Sequence, residues 1–172
     1  MAKAGAGKKR NSQARALAVK AAVFAAAVFV LTKLVFGVCI CSGERMFPAL
    51  RDGDLVIYSR LSELRQGDVV VFADPQDGTQ CISRVVGLEG CEIDITEAGE
   101  LKTNGYIPSE SVFYRTERAE GSSVVFPLTV RQGEVFLLDD YRTIGRDSRV
   151  FGPVEKDRIK GRIIYIVRIR GY

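Results

Sequence analysis

The stretch SGERMFPAL, residues 42–50, stands between an apolar run that ends at Cys41 and the strand-like segment DLVIYSR at 54–60. Downstream of it, short β-branched and aromatic runs recur: DVVVFA (68–73), ISRVVGL (82–88), CEIDI (91–95), SVVFPLTV (123–130), EVFLLDD (134–140) and GRIIYIVRIR (161–170). Asp52-Gly53, Gln66-Gly67, Asp77-Gly78, Asn104-Gly105, Gln132-Gly133 and Gly152-Pro153 punctuate them as turns. Strands at this spacing predict an all-β, antiparallel, closed or sandwiched domain over 42–172. No segment of that domain has helical periodicity, and there is no internal repeat. In the last run, strict alternation would put Ile163, Tyr165, Val167 and Ile169 on one face. Arg162, Ile164, Ile166, Arg168 and Arg170 would take the other.

Upstream, seven of the 25 basic residues and none of the 21 acidic ones lie in 1–41, so the remainder is net negative by three. A nucleic-acid partner would need the basic excess on the folded part, and it is absent there. Residues 1–16 read as a basic tail without structure of its own, and 17–41 as one transmembrane anchor. Leu17–Cys39 as helix would measure roughly 35 Å, against a hydrocarbon core of about 30 Å. Lys20 can snorkel to the headgroups, and Lys33 lies deeper. A cleaved signal is the rival reading, which Lys33 and the bulky residues after it disfavour. Basic residues before the anchor put the N-terminus in the cytoplasm and the β domain outside the membrane. In that compartment Cys81 and Cys91, flanking ISRVVGLEG, are a candidate disulfide if the stretch folds back on itself. Cys39 and Cys41 read as apolar residues at the membrane exit, with acylation as the sharper alternative. With no His and no CxxC, no metal site is expected, and no cofactor.

An anchor followed by SGERMFPALRDGD resembles the type I signal peptidases, membrane-anchored Ser–Lys peptidases of the S26 kind. Further boxes recur in that family's order: Gly67-Asp68-Val69-Val70-Val71-Phe72, then Ser83-Arg84-Val85-Val86-Gly87-Leu88-Glu89-Gly90, and, more weakly, Thr103-Asn104-Gly105 with Glu110. The last runs from Asp139-Asp140-Tyr141-Arg142 to Asp147-Ser148-Arg149, followed by Phe151-Gly152-Pro153-Val154. The resemblance implies a signal peptidase-like antiparallel β fold behind one transmembrane helix. It also shows what is missing. Arg45 stands at the nucleophile position, Ser83 at the general-base lysine, and Gly145 at the serine that orients that lysine. Asp139-Asp140 replaces the family's Gly-Asp. A guanidinium has no attacking oxygen and stays protonated, and a serine is no substitute for a lysine base. Ser42 matches a position that donates to an oxyanion hole, which begins nothing without an attacking group. Lys102 is the nearest lysine in the boxes, and nothing in the sequence brings it to Ser42.

Arg84, Asp147 and Arg149 match family positions that tie loops together by ion pairing. Arg45 is expected to form a bidentate pair with Asp139 or Asp140 across the old cleft. The family takes an extended peptide as an added strand. Here that places the cleft between 38–42 and 79–82, with Cys41, Ser42, Met46, Pro48, Gln80, Cys81 and Ile82 as lining. The lost dyad makes the chain similar to the non-cleaving accessory members of Gram-positive pilus assembly, which work beside sortases. The expected function is a membrane-bound, non-catalytic partner of an exported or pilin polypeptide. The alternative is a working peptidase with atypical residues.

Overall fold

The computed structural model describes residues 4–108 and 114–168, with side chains from residue 15. Glu110, Ile169 and Arg170, and the side chains of the basic residues before Arg15, lie outside the described residues. The chain forms two units that divide after Phe36. The first is a helix, α1, Ala4–Val35, whose Arg15–Val35 portion is long and apolar enough to cross a membrane. Helix therefore reaches into the tail expected to be unstructured. It also stops short of Cys41.

Phe36–Ile40 is not anchor but strand β1. Cys41 N donates to Asp54 O (2.7 Å) and Gly53 N to Cys41 O (2.9 Å), closing β1 onto β2, Leu55–Ser59, as an antiparallel hairpin. Gly37 permits the approach, because a Cβ there would stand 2.1 Å from Cζ of Tyr58.

The β unit continues with β3 (Val69–Ala73), β4 (Gln80–Leu88), β5 (Glu92–Ile95), β6 (Leu101–Thr103) and β7 (Leu128–Thr129). Strand β8 (Glu134–Leu138), a helical turn α2 (Ser148–Phe151), β9 (Val154–Glu155) and β10 (Ile159–Val167) complete it. Seven strands form one sheet in the order β1-β2-β10-β3-β4-β8-β9, and three form a small sheet, β6-β5-β7. The identified pairings β2/β10, β10/β3, β3/β4 and β4/β8 are all antiparallel. The unbroken apolar run of β3 follows from burial on both faces. Val70 and Phe72 pack with Val85 and Leu137, and Val71 packs with Met46, Leu50 and Val56. A third cluster joins the small sheet to the large one through Ile93, Ile95, Phe126 and Phe136.

Several expectations are corrected. Cys81 and Cys91 are both free. ISRVVGL does not fold back but belongs to the single strand β4, so roughly 23 Å of strand separates the two positions, far beyond disulfide reach. SVVFPLTV contributes only two residues of strand, since Pro127 carries no N–H for a ladder. The alternation of β10 is broken by a bulge between Ile163 and Tyr165, which leaves Ile164, Tyr165 and Ile166 exposed in succession.

Candidate functional site

The loop after β1 is held rigidly. Met46 and Leu50 are buried in the core below it, Gly43 N donates to Asp52 Oδ1 (2.8 Å), and Leu50 N donates to Met46 O (2.9 Å). The loop thereby presents Ser42 and Arg45 to a cleft of ≈ 190 Å³. One wall is Cys39–Ser42 with Arg45 and Met46, and the other is Thr79–Ile82 of β4 and the turn before it. Cys41, Ser42, Met46, Gln80, Cys81 and Ile82 lie where they were expected. Pro48 does not line the cleft: the loop has turned away by that point, leaving Pro48 exposed.

Arg45 crosses this cleft. Its Nη2 donates to Cys81 Sγ (3.3 Å), and its Nε stands 4.0 Å from Asp139 Oδ2. Its backbone oxygen accepts from Tyr141 N (2.8 Å), which ties the loop to the segment after β8. The expected bidentate pair is not formed. Asp140 faces the other way, held by both Nε (2.7 Å) and Nη2 (2.6 Å) of Arg84. Burial pulls the Arg45 guanidinium down, but the Cys81 contact and the charges of Asp139 and Asp74 outweigh it and hold it above its ordinary value. It stays a cation.

Asp139 is fully buried. It accepts from Ser83 Oγ (2.5 Å) and from Arg146 N (3.1 Å), and its own N donates to Asp147 Oδ2 (3.0 Å). Burial and the neighbouring Asp147 push its carboxyl up to about 7, against the lowering pull of Ser83 and Arg45. Gly145 packs against this group. A Cβ there would lie 3.0 Å from Asp139 Cβ, 2.7 Å from Arg149 Nη2 and 2.9 Å from Asp147 Oδ2. A side chain at 145 would therefore crowd Arg149 and Asp147 first and Asp139 next. Burial also raises the thiol of Cys39, and takes that of Cys41 up to about 11, so both are poor nucleophiles. Lys102 sits on β6 opposite Asp94, outside the cleft lining.

Behind the cleft lie further ion pairs. Asp147 caps α2 by accepting from Arg149 N (3.1 Å) and pairs with the Arg149 guanidinium (2.9 and 2.8 Å). Arg142, also buried, spans Asp139 O (2.8 Å) and Thr116 Oγ1 (2.6 Å). Sequence reasoning missed Arg146, which grips Asp74 and the Gln76 side chain. Seventy-two residues separate Arg146 from Asp74, and no box contains both. Among the described residues no three His, Cys, Asp or Glu side chains are grouped to hold a metal.

Known proteins are similar to this chain in sequence and fold. The chain is 31% identical over 137 residues to the mitochondrial inner membrane protease subunit 1 of Homo sapiens, covering 76% of this chain and 69% of that one. The mitochondrial ATP-independent inner membrane protease subunit 1b of Arabidopsis thaliana is 31% identical over 160 residues, with coverage of 87% and 83%. Signal peptidase IB of Staphylococcus aureus is 26% identical over 157 residues, with coverage of 80% and 81%. A crystal structure of a signal peptidase I from Enterococcus faecalis V583 superposes with a TM-score of 0.52 at 26% identity, covering 60% of this chain and 99% of that one. The family model described as signal peptidase, peptidase S26, matches residues 14–168. With a matching β fold and a match over nearly the whole chain, this protein belongs to the signal peptidase S26 family.

Proposed function

We propose that the chain is a non-catalytic, membrane-anchored binding or assembly factor for exported polypeptides, with its N-terminus in the cytoplasm and its β unit outside. The supporting observation is the Arg45 side chain in the cleft, at the position where the resemblance puts a nucleophile. Around it, Ser83 gives its hydroxyl to a buried carboxyl group and Gly145 has no side chain to orient a base. None of these groups attacks a peptide bond.

Binding does not need the lost side chains. Strand β1 is at the edge of its sheet, and Gln80–Ser83 of β4 pairs with β3 on one side, while the pairing of β4 with β8 begins only at Arg84. An extended segment entering between them would pair by main-chain hydrogen bonds. In pilus assembly that segment would belong to a pilin, and a sortase would be the neighbouring enzyme. The test is co-elution of the full chain, in detergent, with an exported precursor that retains its signal segment. A stable complex is expected, and separate elution overturns the reading.

One contact favours a second reading, a working peptidase with atypical residues. A carboxyl group near 7 is basic enough to take a serine proton, and Asp139 touches Ser83. However, Ser83 is 1% exposed and does not line the cleft. Ser42 does line it, but has no base within hydrogen-bond distance among the described residues.

A further inference from the structure

The cleft has a direction. The β1/β2 hairpin and the successive antiparallel pairings β2/β10, β10/β3 and β3/β4 make β1 and β4 run the same way. Cys39 and Gln80 line the cleft on one side of the crossing, and Arg45 reaches Cys81 one residue further along β4. The cleft lining ends at Ile82, and the next residue of β4, Ser83, is buried and gives its hydroxyl to Asp139. Arg45 is therefore a bar across the leading end of the groove, tied at its backbone to Tyr141 and at its tip to Cys81. A polypeptide lying as a strand between β1 and β4 meets this bar and ends there.

Charge selects which end arrives. A strand antiparallel to both walls would bring its α-ammonium to a guanidinium. A parallel strand would bring its α-carboxylate. Among the described residues, Arg45 makes one hydrogen bond through Nη2 and one long contact through Nε, out of five donors. Of the nearby carboxyl groups, Asp74 is held by Arg146, Asp140 by Arg84 and Asp52 by Gly43 N, while Asp139 stands 4.0 Å from Arg45 Nε. Ser42 is exposed in the same lining and adds a hydroxyl donor.

From the proposed role of the cleft as a polypeptide receptor, we infer that its occupant is the C-terminal end of an exported chain, held by its free α-carboxylate on Arg45 and Ser42. The cation that removes the nucleophile thereby turns a site for the middle of a chain into a site for its end.

Fluorescence anisotropy on the full chain in detergent tests this, with three N-terminally labelled octapeptides of valine and alanine. One has a free C-terminus, one is its C-terminal amide, and one is an amide whose last residue is aspartate. The free acid is expected to bind about tenfold or more tighter than either amide, as a charge-assisted contact implies. Arg45→Gln should abolish that preference, so that free acid and amide bind alike, and a circular dichroism spectrum that matches the parent's shows that the variant is folded. Equal binding of free acid and plain amide to the unaltered protein overturns the carboxylate site and leaves the receptor reading standing. An aspartyl amide as tight as the free acid overturns the chain-end assignment in favour of a side-chain carboxylate. Failure of all three peptides to bind removes the receptor reading itself.

Discussion

Two regions built from one sequence box behave in opposite ways. Between Asp139 and Arg149, the side that faces away from the cleft keeps its ion pairs: Asp140 with Arg84, and Asp147 with Arg149. The side that faces the cleft is built differently. Asp139 packs beside Gly145, Ser83 gives its hydroxyl to Asp139, and Arg45 crosses to Cys81. In the proposed reading, the difference separates what the fold requires from what the family's reaction would need. Asp147 and Arg149 are buried and cap α2, so losing either strands a charge. The side chains of Ser83 and Arg45 contact mainly Asp139 and Cys81, so changing them strands no buried ion pair of the scaffold.

That contrast gives a ranked series of substitutions, each read by chemical denaturation of the full chain in detergent. Arg149→Ala leaves Asp147 buried without its partner and should cost about 3–5 kcal/mol. A cost below about 1 kcal/mol would erase the contrast.

Gly145→Ser comes next. Its Cβ must displace the Arg149 tip and crowd Asp139, an overpacking worth about 1–3 kcal/mol. If 139 and 145 share one space, the penalty shrinks in an Asp139→Gly background. Strict additivity of the two changes would deny the exchange.

Asp139→Asn acts through pH. With a folded pKa of about 7 against an ordinary 3.8, Asp139 holds in the folded state a proton that the unfolded chain releases between those values. Its contribution to stability is therefore complete below about pH 4 and is lost as pH rises toward 7. That is a slope of roughly 1 kcal/mol per pH unit. The asparagine variant should lack this component. Identical pH profiles for the variant and the parent would mean that Asp139 is ionised throughout.

Arg45→Gln should change stability least, by under about 1 kcal/mol, since the guanidinium is 31% exposed and its ion pair is long. A larger loss would make Arg45 part of the scaffold.

Much of this was legible before any coordinates. Antiparallel β domains announce themselves through Asx-Gly turns and β-branched runs, and the large sheet follows those runs closely. Arg45 was expected beside Asp139 or Asp140 because the resemblance brings those two turns together, and the structure puts it near Asp139, without the bidentate pair. The losses have physical causes. Phe36–Ile40 continues an apolar run, and apolarity alone does not distinguish a membrane helix from a buried strand. The β10 bulge inserts one residue without changing composition, so alternation misassigned the residues after Ile163. The expected disulfide assumed a turn inside ISRVVGLEG, where β4 instead runs straight through. Arg146 with Asp74, and Arg142 with Thr116, are long-range pairs that only the folded chain brings together.

The most direct measurement is the mass of a signal-bearing precursor after prolonged incubation with the full chain in detergent. A dismantled catalytic centre leaves every precursor at its original mass, whether bound or free. A shorter product from the unaltered protein, lost on Ser42→Ala or Ser83→Ala, would contradict the non-catalytic reading and name the serine that cuts. A product that survives both changes would contradict it as well, and would place the nucleophile outside the matched boxes.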